Sequence, residues 1–328
     1  MITAFFLLVN LPGLGEVFLS PDSIALHSGA SKVVAMSGDI VTVFDIETDQ
    51  IHLSYKVGGP IQVSFIGERV VISSRFEKGL VFFNGWWDKE AKVLPGFFPR
   101  FVSVIGKDEV LGFPYMESLG AGTYTIPGWT AFLHKNEGLL SKVNIDFGSR
   151  KWKVGGNRIA PITKEQEYQM FNYKAFWALG NSKSFYLVRA VQNHVVLVNG
   201  MKEVKNIPIE LPGWVPLTEP QFNSGTFSLD EYRKLYAKMG KEFSRILGAF
   251  LMSDGFVVCY FNPGQDSVKE TRVAVYDSGW ELISFHKVPG MLFGTSGNTG
   301  FFLSKWENGH QKVFLAELNT IHFGALEH

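Results

Sequence analysis

Asp45, Glu47 and Asp49 stand two residues apart, the spacing with which a calcium-binding EF-hand loop opens. Position six of such a loop is Gln50 here, where the sharp turn needs Gly. Position twelve is Lys56, where a bidentate Glu should close the ligand shell. The three acids therefore read as a strand turn. The eight histidines are scattered, with no pair at metal-ligand spacing. Gly13-Leu14-Gly15 lacks the third glycine and the strand–helix setting of a dinucleotide fingerprint, and neither a Walker loop nor a His-Glu-x-x-His motif is present. Gly294-Thr295-Ser296-Gly297 misses the spacing of a nucleophile elbow and reads as a hairpin turn. Cys259, the only cysteine, lies in the apolar run Phe256–Phe261 and can form no internal disulfide; it reads as a small buried hydrophobe. No catalytic residue, metal ligand or cofactor is assigned, and the chain leans away from an enzyme.

What remains is a set of aromatic rings beside isolated charges. Arg75 precedes Phe76, Glu77 and Lys78, and Arg100 follows Phe97 and Phe98. The stretch Pro114–Gly128 carries Tyr115, Met116, Glu117 and Tyr124. Trp214 follows Leu-Pro-Gly, and Trp306 stands between Lys305 and Glu307, with His310 beyond. Such a mixture suits a ligand or peptide pocket, apolar with a few polar anchors, and Trp, Tyr and Arg dominate protein interfaces. Arg75 and Arg100, lone cations beside Phe, could clamp a carboxylate or phosphate. The candidate ligand-binding set is Arg75, Arg100, Tyr115, Glu117, Trp214 and Trp306.

The elements that position these residues are strands. Apolar residues make up 46% of the 328 and charged residues 19%, with 29 Phe; a bias to aromatic over Leu, Ala, Glu and Lys favours sheet over amphipathic helix. Lys plus Arg equals Asp plus Glu at 31 each, so the net charge is zero. No basic field steers the chain to nucleic acid or to an acidic membrane.

Three markers recur in fixed order. The first is an apolar run ending in Gly, at Gly29, Gly67, Gly106, Gly180, Gly255 and Gly297. The second is an alternating run closing on a turn residue, at Asp45, Asn84, His134, Asn199, Asp277 and Asn319. The third is an apolar residue before Pro-Gly or Gly-Gly, at Leu11–Gly13, Val57–Gly59, Leu94–Gly96, Leu211–Gly213 and Val288–Gly290. Each unit reads as strand, Gly turn, strand, loop, alternating strand, Asp/Asn turn, strand: a four-stranded antiparallel meander. Two stretches interrupt the rhythm, Ser149–Tyr173 and Val215–Phe243. In the second, Ser228 and Glu231 fit a capping box, and Tyr232, Leu235, Tyr236, Met239 and Phe243 form one apolar stripe, predicting an amphipathic helical insertion at about 215–243.

Units of ~40–50 residues that repeat in this way close around a channel. Their form resembles six-bladed β-propellers of the TolB-like kind and, more loosely, WD40 blades, with Phe44-Asp45 and Tyr276-Asp277 standing where WD40 carries Trp-Asp. The Gly-His of WD40 is absent. The resemblance implies an all-β, six-bladed propeller of four-stranded blades as a single domain over 1–325. The strand Ile2–Leu11 would complete the last blade and hide its edge. Residues 326–328 read as an expression-tag remnant.

By analogy with that fold, the long loops gather on one face at the central channel. The first reading is a non-enzymatic propeller, a monomer, that binds a protein or peptide there, with no nucleic acid. Two alternatives stay open: a hydrolase or lyase with a calcium-assisted site at the channel mouth, and a carbohydrate binder stacking sugars on Trp129, Trp214 and Trp306. Ile2–Val9 is too short to span a bilayer and lacks the basic flank of a signal peptide. A chain trimmed of its leader and given a new Met1 would look the same, which tilts the expected location to the periplasm or beyond.

Overall fold

The computed structural model describes residues 24–27, 32–45, 47–48, 50–74, 76–77, 79–96, 102–112, 140–159, 176–216, 242–263, 270–296, 300–307 and 310–317. Every regular element within them is a strand. The first blade is β1 (Ile24–Leu26), β2 (Lys32–Ser37), β3 (Ile40–Asp45) and β4 (Gln50–Lys56). The second is β5 (Pro60–Ile66), β6 (Arg69–Ser74), β7 (Gly79–Phe83) and β8 (Lys92–Pro95). The third is β9 (Val102–Val104), β10 (Glu109–Gly112), β11 (Leu140–Asp146) and β12 (Lys151–Ile159). The fourth is β13 (Phe176–Gly180), β14 (Ser184–Arg189), β15 (His194–Asn199) and β16 (Lys202–Pro208). The fifth is β17 (Arg245–Leu251), β18 (Gly255–Phe261), β19 (Glu270–Asp277) and β20 (Leu282–Pro289). A last sheet holds β21 (Met291–Ser296), β22 (Gly300–Glu307) and β23 (His310–Glu317). All pairings are antiparallel between sequence neighbours.

Burial explains why these residues form these strands. Middle strands lie between two neighbouring sheets and are apolar on both faces: β6 and β18 are buried along almost their whole length. Outer strands reach solvent, so β4 buries only Leu53 and β16 buries none of its residues. The seams are filled by interdigitating side chains, as when sheets pack face to face. Val34, Val43, Leu53, Val63, Ile72 and Phe83 fill the seam between the first and second blades. Leu179, Val188, Ile246, Val258, Tyr276 and Trp280 fill that between the fourth and fifth. Each fully buried Phe, such as Phe44, Phe82 or Phe185, contributes roughly 2–3 kcal/mol of transfer free energy. The innermost strands β1, β5, β9, β13, β17 and β21 touch in succession and β21 meets β1, so the sheets close into a ring.

The structure departs from the sequence expectation in two places. First, five blades have four strands, not six, because the last sheet has three among the described residues. Its outer edge would need a fourth strand from residues 1–23 or 318–328, all outside them. Second, the third strand of the third blade is β11, which closes on Asp146, and not the Trp129–His134 run, which lies outside the described residues. Asp146 is the true turn residue: its Oδ1 accepts the Ser149 N–H at 3.0 Å and its Oδ2 the Ser149 hydroxyl at 2.6 Å. Ser149–Tyr173 is accordingly no insertion as far as Ile159, since β12 runs through it. The helix expected at about 215–243 falls almost wholly outside the described residues; Glu242, the first one described after that gap, is helical.

The third marker has a clear structural meaning. Gly59, Gly96, Gly213 and Gly290 all have positive φ, between 56° and 85°. The apolar residue two positions earlier, Val57, Leu94, Leu211 or Val288, is buried in each case. The apolar side chain anchors the end of the outer strand, and the left-handed Gly turns the chain toward the next inner strand.

Candidate functional site at the connector end

Antiparallel order gives the ring two different ends. The connectors from second to third strand, and from each blade to the next, leave from one end, the connector end. The first-to-second and third-to-fourth turns lie at the other, the turn end.

Of the six candidate residues, Trp214 is fully described. It sits at the connector end, where the chain leaves β16 for β17. Trp306 lies in β22, paired with Gln311. Arg75, Arg100, Tyr115 and Glu117 lie outside the described residues, as does Trp129. Among the described residues the structure builds one corner of the set, at Trp214, in detail.

That corner is a clasp on Leu211-Pro212-Gly213-Trp214. The Trp214 N–H donates to the Leu211 carbonyl at 2.9 Å, closing a tight turn. The Pro212 carbonyl accepts three donors from the fifth blade: the Tyr260 hydroxyl at 2.9 Å, the Asn262 amide at 3.1 Å and Arg272 Nη1 at 2.9 Å. The Tyr276 hydroxyl donates to the Glu210 carbonyl at 2.6 Å. Ser244 ties the far end: its hydroxyl accepts the Val215 N–H at 2.8 Å and donates to Asn262 Oδ1 at 2.7 Å, and its N–H donates to the Val215 carbonyl at 2.9 Å. Gly213 has no room for a side chain, since a Cβ would lie 2.8 Å from Arg272 Nη1 and 2.9 Å from Asn262 Nδ2.

Trp214 is half-buried, its ring tilted against Tyr260 with centroids 6.2 Å apart. Its indole Nε1 is buried with no hydrogen-bond partner. Arg272 packs its guanidinium 5.6 Å above the Phe285 ring, and no carboxylate among the described residues pairs with it. Burial pushes the Tyr260 and Tyr276 hydroxyls far above the usual phenol range, so both remain protonated donors. The clasp holds a half-buried indole next to a guanidinium with no paired carboxylate among the described residues, which suits recognition of an apolar group accompanied by an acceptor or anion.

A second polar group stands at the same end of the fourth blade. Arg189 is buried and donates to Gln192 Oε1 at 3.1 Å and Glu203 Oε1 at 3.0 Å. Burial lowers its pKa and Glu203 opposes that; His194 nearby is pushed down by burial and by Arg189, and is neutral at pH 7. With its charge paired inside the blade, Arg189 is structural.

Sequence reasoning found Trp214 and missed the groups that fix it. Tyr260, Asn262 and Arg272 lie some fifty residues and more from Pro212, and Ser244 lies some thirty from Val215. The available signal was Tyr260 and Tyr276 inside apolar strands, since a buried hydroxyl must find an acceptor.

Fold and clasp define a β-propeller with an aromatic connector-end corner. The chain is similar to a member of the DUF4221 family from Bacteroides vulgatus, at 12% identity over 94% of each chain with a TM-score of 0.55. It is also similar to a protein from Bacteroides fragilis described as exported, at 10% identity over 96% of this chain and 94% of that one, TM-score 0.51. A luciferin-regenerating enzyme matches at 10% identity over 96% of both chains, TM-score 0.50. At such identities the likeness is one of fold. No family model and no curated protein matches the chain.

Proposed function

We propose that this chain is a non-enzymatic binding propeller that recognises a protein or peptide at its connector end. The observation that carries the reading is the clasp: bonds from another blade fix the turn that carries a half-buried indole, beside a guanidinium that pairs with no carboxylate among the described residues. Arg75, Arg100, Tyr115, Glu117 and Trp306 extend the surface in this reading, and the partner carries an apolar side chain next to a carboxylate or carbonyl. The ring is a six-bladed, TolB-like propeller forming one domain over 1–325, its last blade completed by Ile2–Leu11. Likeness to a protein described as exported supports a place outside the cytoplasm; among the described residues no helix is long and apolar enough to cross a membrane.

Selection of a displayed random-peptide library on the purified protein tests the reading. It predicts convergence on a motif pairing an apolar residue with Asp or Glu, and loss of those peptides from a Trp214→Ala bait. Failure to converge, or equal capture by both baits, contradicts it.

A further inference from the structure

The turn end carries an aromatic feature of a different kind. The loop joining β7 to β8, residues 84–91, is Asn-Gly-Trp-Trp-Asp-Lys-Glu-Ala. Its shape is set by Asp88, whose N–H donates to the Gly85 carbonyl at 3.1 Å. The Asp88 carboxylate accepts the Asn84 N–H at 3.3 Å, the Asn84 amide at 3.1 Å and the Glu90 N–H at 3.0 Å. Those donors, the Glu90 N–H foremost, hold the carboxyl below its ordinary range. The two indoles then diverge. Trp86 turns inward against the core of the first seam, with its ring 4.9 Å from His27 and Lys32 Nζ 5.9 Å above it. Trp87 turns outward and is 62% exposed.

Trp87 is exposed without being loose. Its six-membered ring lies so close over Gly85 that a Cβ there would stand 2.6 Å from it. The Trp86 ring meets it edge to face, centroids 4.9 Å apart at 84°. One face of the indole thus rests on backbone while the ring is open to solvent. Lys89 and Glu90 beside it are exposed. The Glu68 carboxylate, 3.6 Å from His27 Nε2, is exposed on the far side of Trp86.

The size and surroundings of the platform select its occupant. A protein interface needs ~800 Å² per partner, and a whole Trp offers about 150–250 Å². One ring in a rim of charged side chains falls well short of an interface. It matches a small ligand with one flat C–H face and hydroxyls around its edge. We propose that Trp87 is the stacking platform of a saccharide subsite for β-linked, all-equatorial hexopyranoses, whose axial C–H bonds meet the electron-rich indole face while the edge hydroxyls bond to the polar rim. The subsite lies at the opposite end of the ring from the clasp and is independent of it.

Titration with cellohexaose, chitohexaose and, as an α-linked comparison, maltohexaose tests this by calorimetry and indole fluorescence. The expected result is saturable millimolar or tighter binding of cellohexaose or chitohexaose and weaker binding of maltohexaose. Trp87→Ala should weaken binding at least ~10-fold, which is about 1.4 kcal/mol, Trp87→Phe less, and Ile283→Ala, at an exposed position on the outer strand of the fifth blade, not at all. Gly85→Ala, which displaces the ring without removing it, should weaken binding as well. An unchanged urea midpoint for Trp87→Ala keeps the comparison meaningful; should that variant unfold, Trp87→Phe and Gly85→Ala decide. The proposal is overturned if none of the three sugars binds the wild type, if the Trp87 variants bind as it does, or if Trp87→Ala alters self-association on dilution and leaves sugar binding untouched.

Discussion

At Gly213 a side chain is disfavoured on two counts. Its φ is +71°, and a Cβ would press on Arg272 and Asn262. Gly200 also has positive φ but nothing within 4 Å. Gly213→Ala is therefore expected to cost about 2 kcal/mol or more and Gly200→Ala about 1 kcal/mol, measurable as shifts in urea midpoint; equal shifts would argue that the clasp is slack. Cys259 makes a second residue-scale case. Its thiol donates to Thr271 Oγ1 at 3.3 Å, and Thr271 donates to the Gly290 carbonyl at 2.6 Å. Burial pushes the thiol from its ordinary 9 up to about 11. A group whose folded pKa is raised contributes stability that is complete below the unfolded pKa and lost as pH climbs through the folded one. The wild type should therefore lose stability relative to Cys259→Val between pH 9 and 11. Tyr260 and Tyr276 titrate in both proteins and cancel. A constant difference across that range would contradict the assignment.

At the scale of elements, the turns after the third strands of the first, third and fifth blades share one device, an Asp carboxylate that accepts backbone N–H groups. Asp45 Oδ1 accepts the Glu47 N–H at 2.8 Å, and Asp277 Oδ1 accepts the N–H groups of Gly279 and Glu281 at 2.8 and 2.9 Å. The side chain replaces a backbone acceptor and fixes the hairpin. Asp277→Ala should cost about 1–2 kcal/mol, read as a lowered denaturation midpoint. The same regularity shows what was legible in the sequence. The Asp/Asn turns and the apolar-Pro-Gly endings revealed the meander, because each rests on local backbone chemistry. The third blade was misread because several residues could close an alternating run, and His134 was taken where Asp146 makes the bonds. Trp214 was legible as an aromatic following Leu-Pro-Gly. Its supports were not, because bonds from Tyr260, Asn262 and Arg272 to Pro212 cross between blades, and no local period encodes them. Trp87 went unremarked because adjacent tryptophans look alike in sequence; only the positions of Gly85 and the core separate their roles.

At the scale of the molecule, the ring stands on contacts between successive inner strands and on the seams they enclose. The last sheet has three strands among the described residues. With Ile2–Leu11 as the fourth strand there, deletion of residues 2–11 should lower the melting temperature by several degrees, and a synthetic peptide of that segment should restore it. A deletion variant as stable as the wild type would refute that closure. For the connector end, a crystal structure of the protein with a peptide selected against it decides whether the clasp is the binding surface. Peptide density in van der Waals contact with Trp214 is expected, with a peptide acceptor on the Arg272 guanidinium. Density confined to the turn end or to the outer strands, with Trp214 bare, would contradict it.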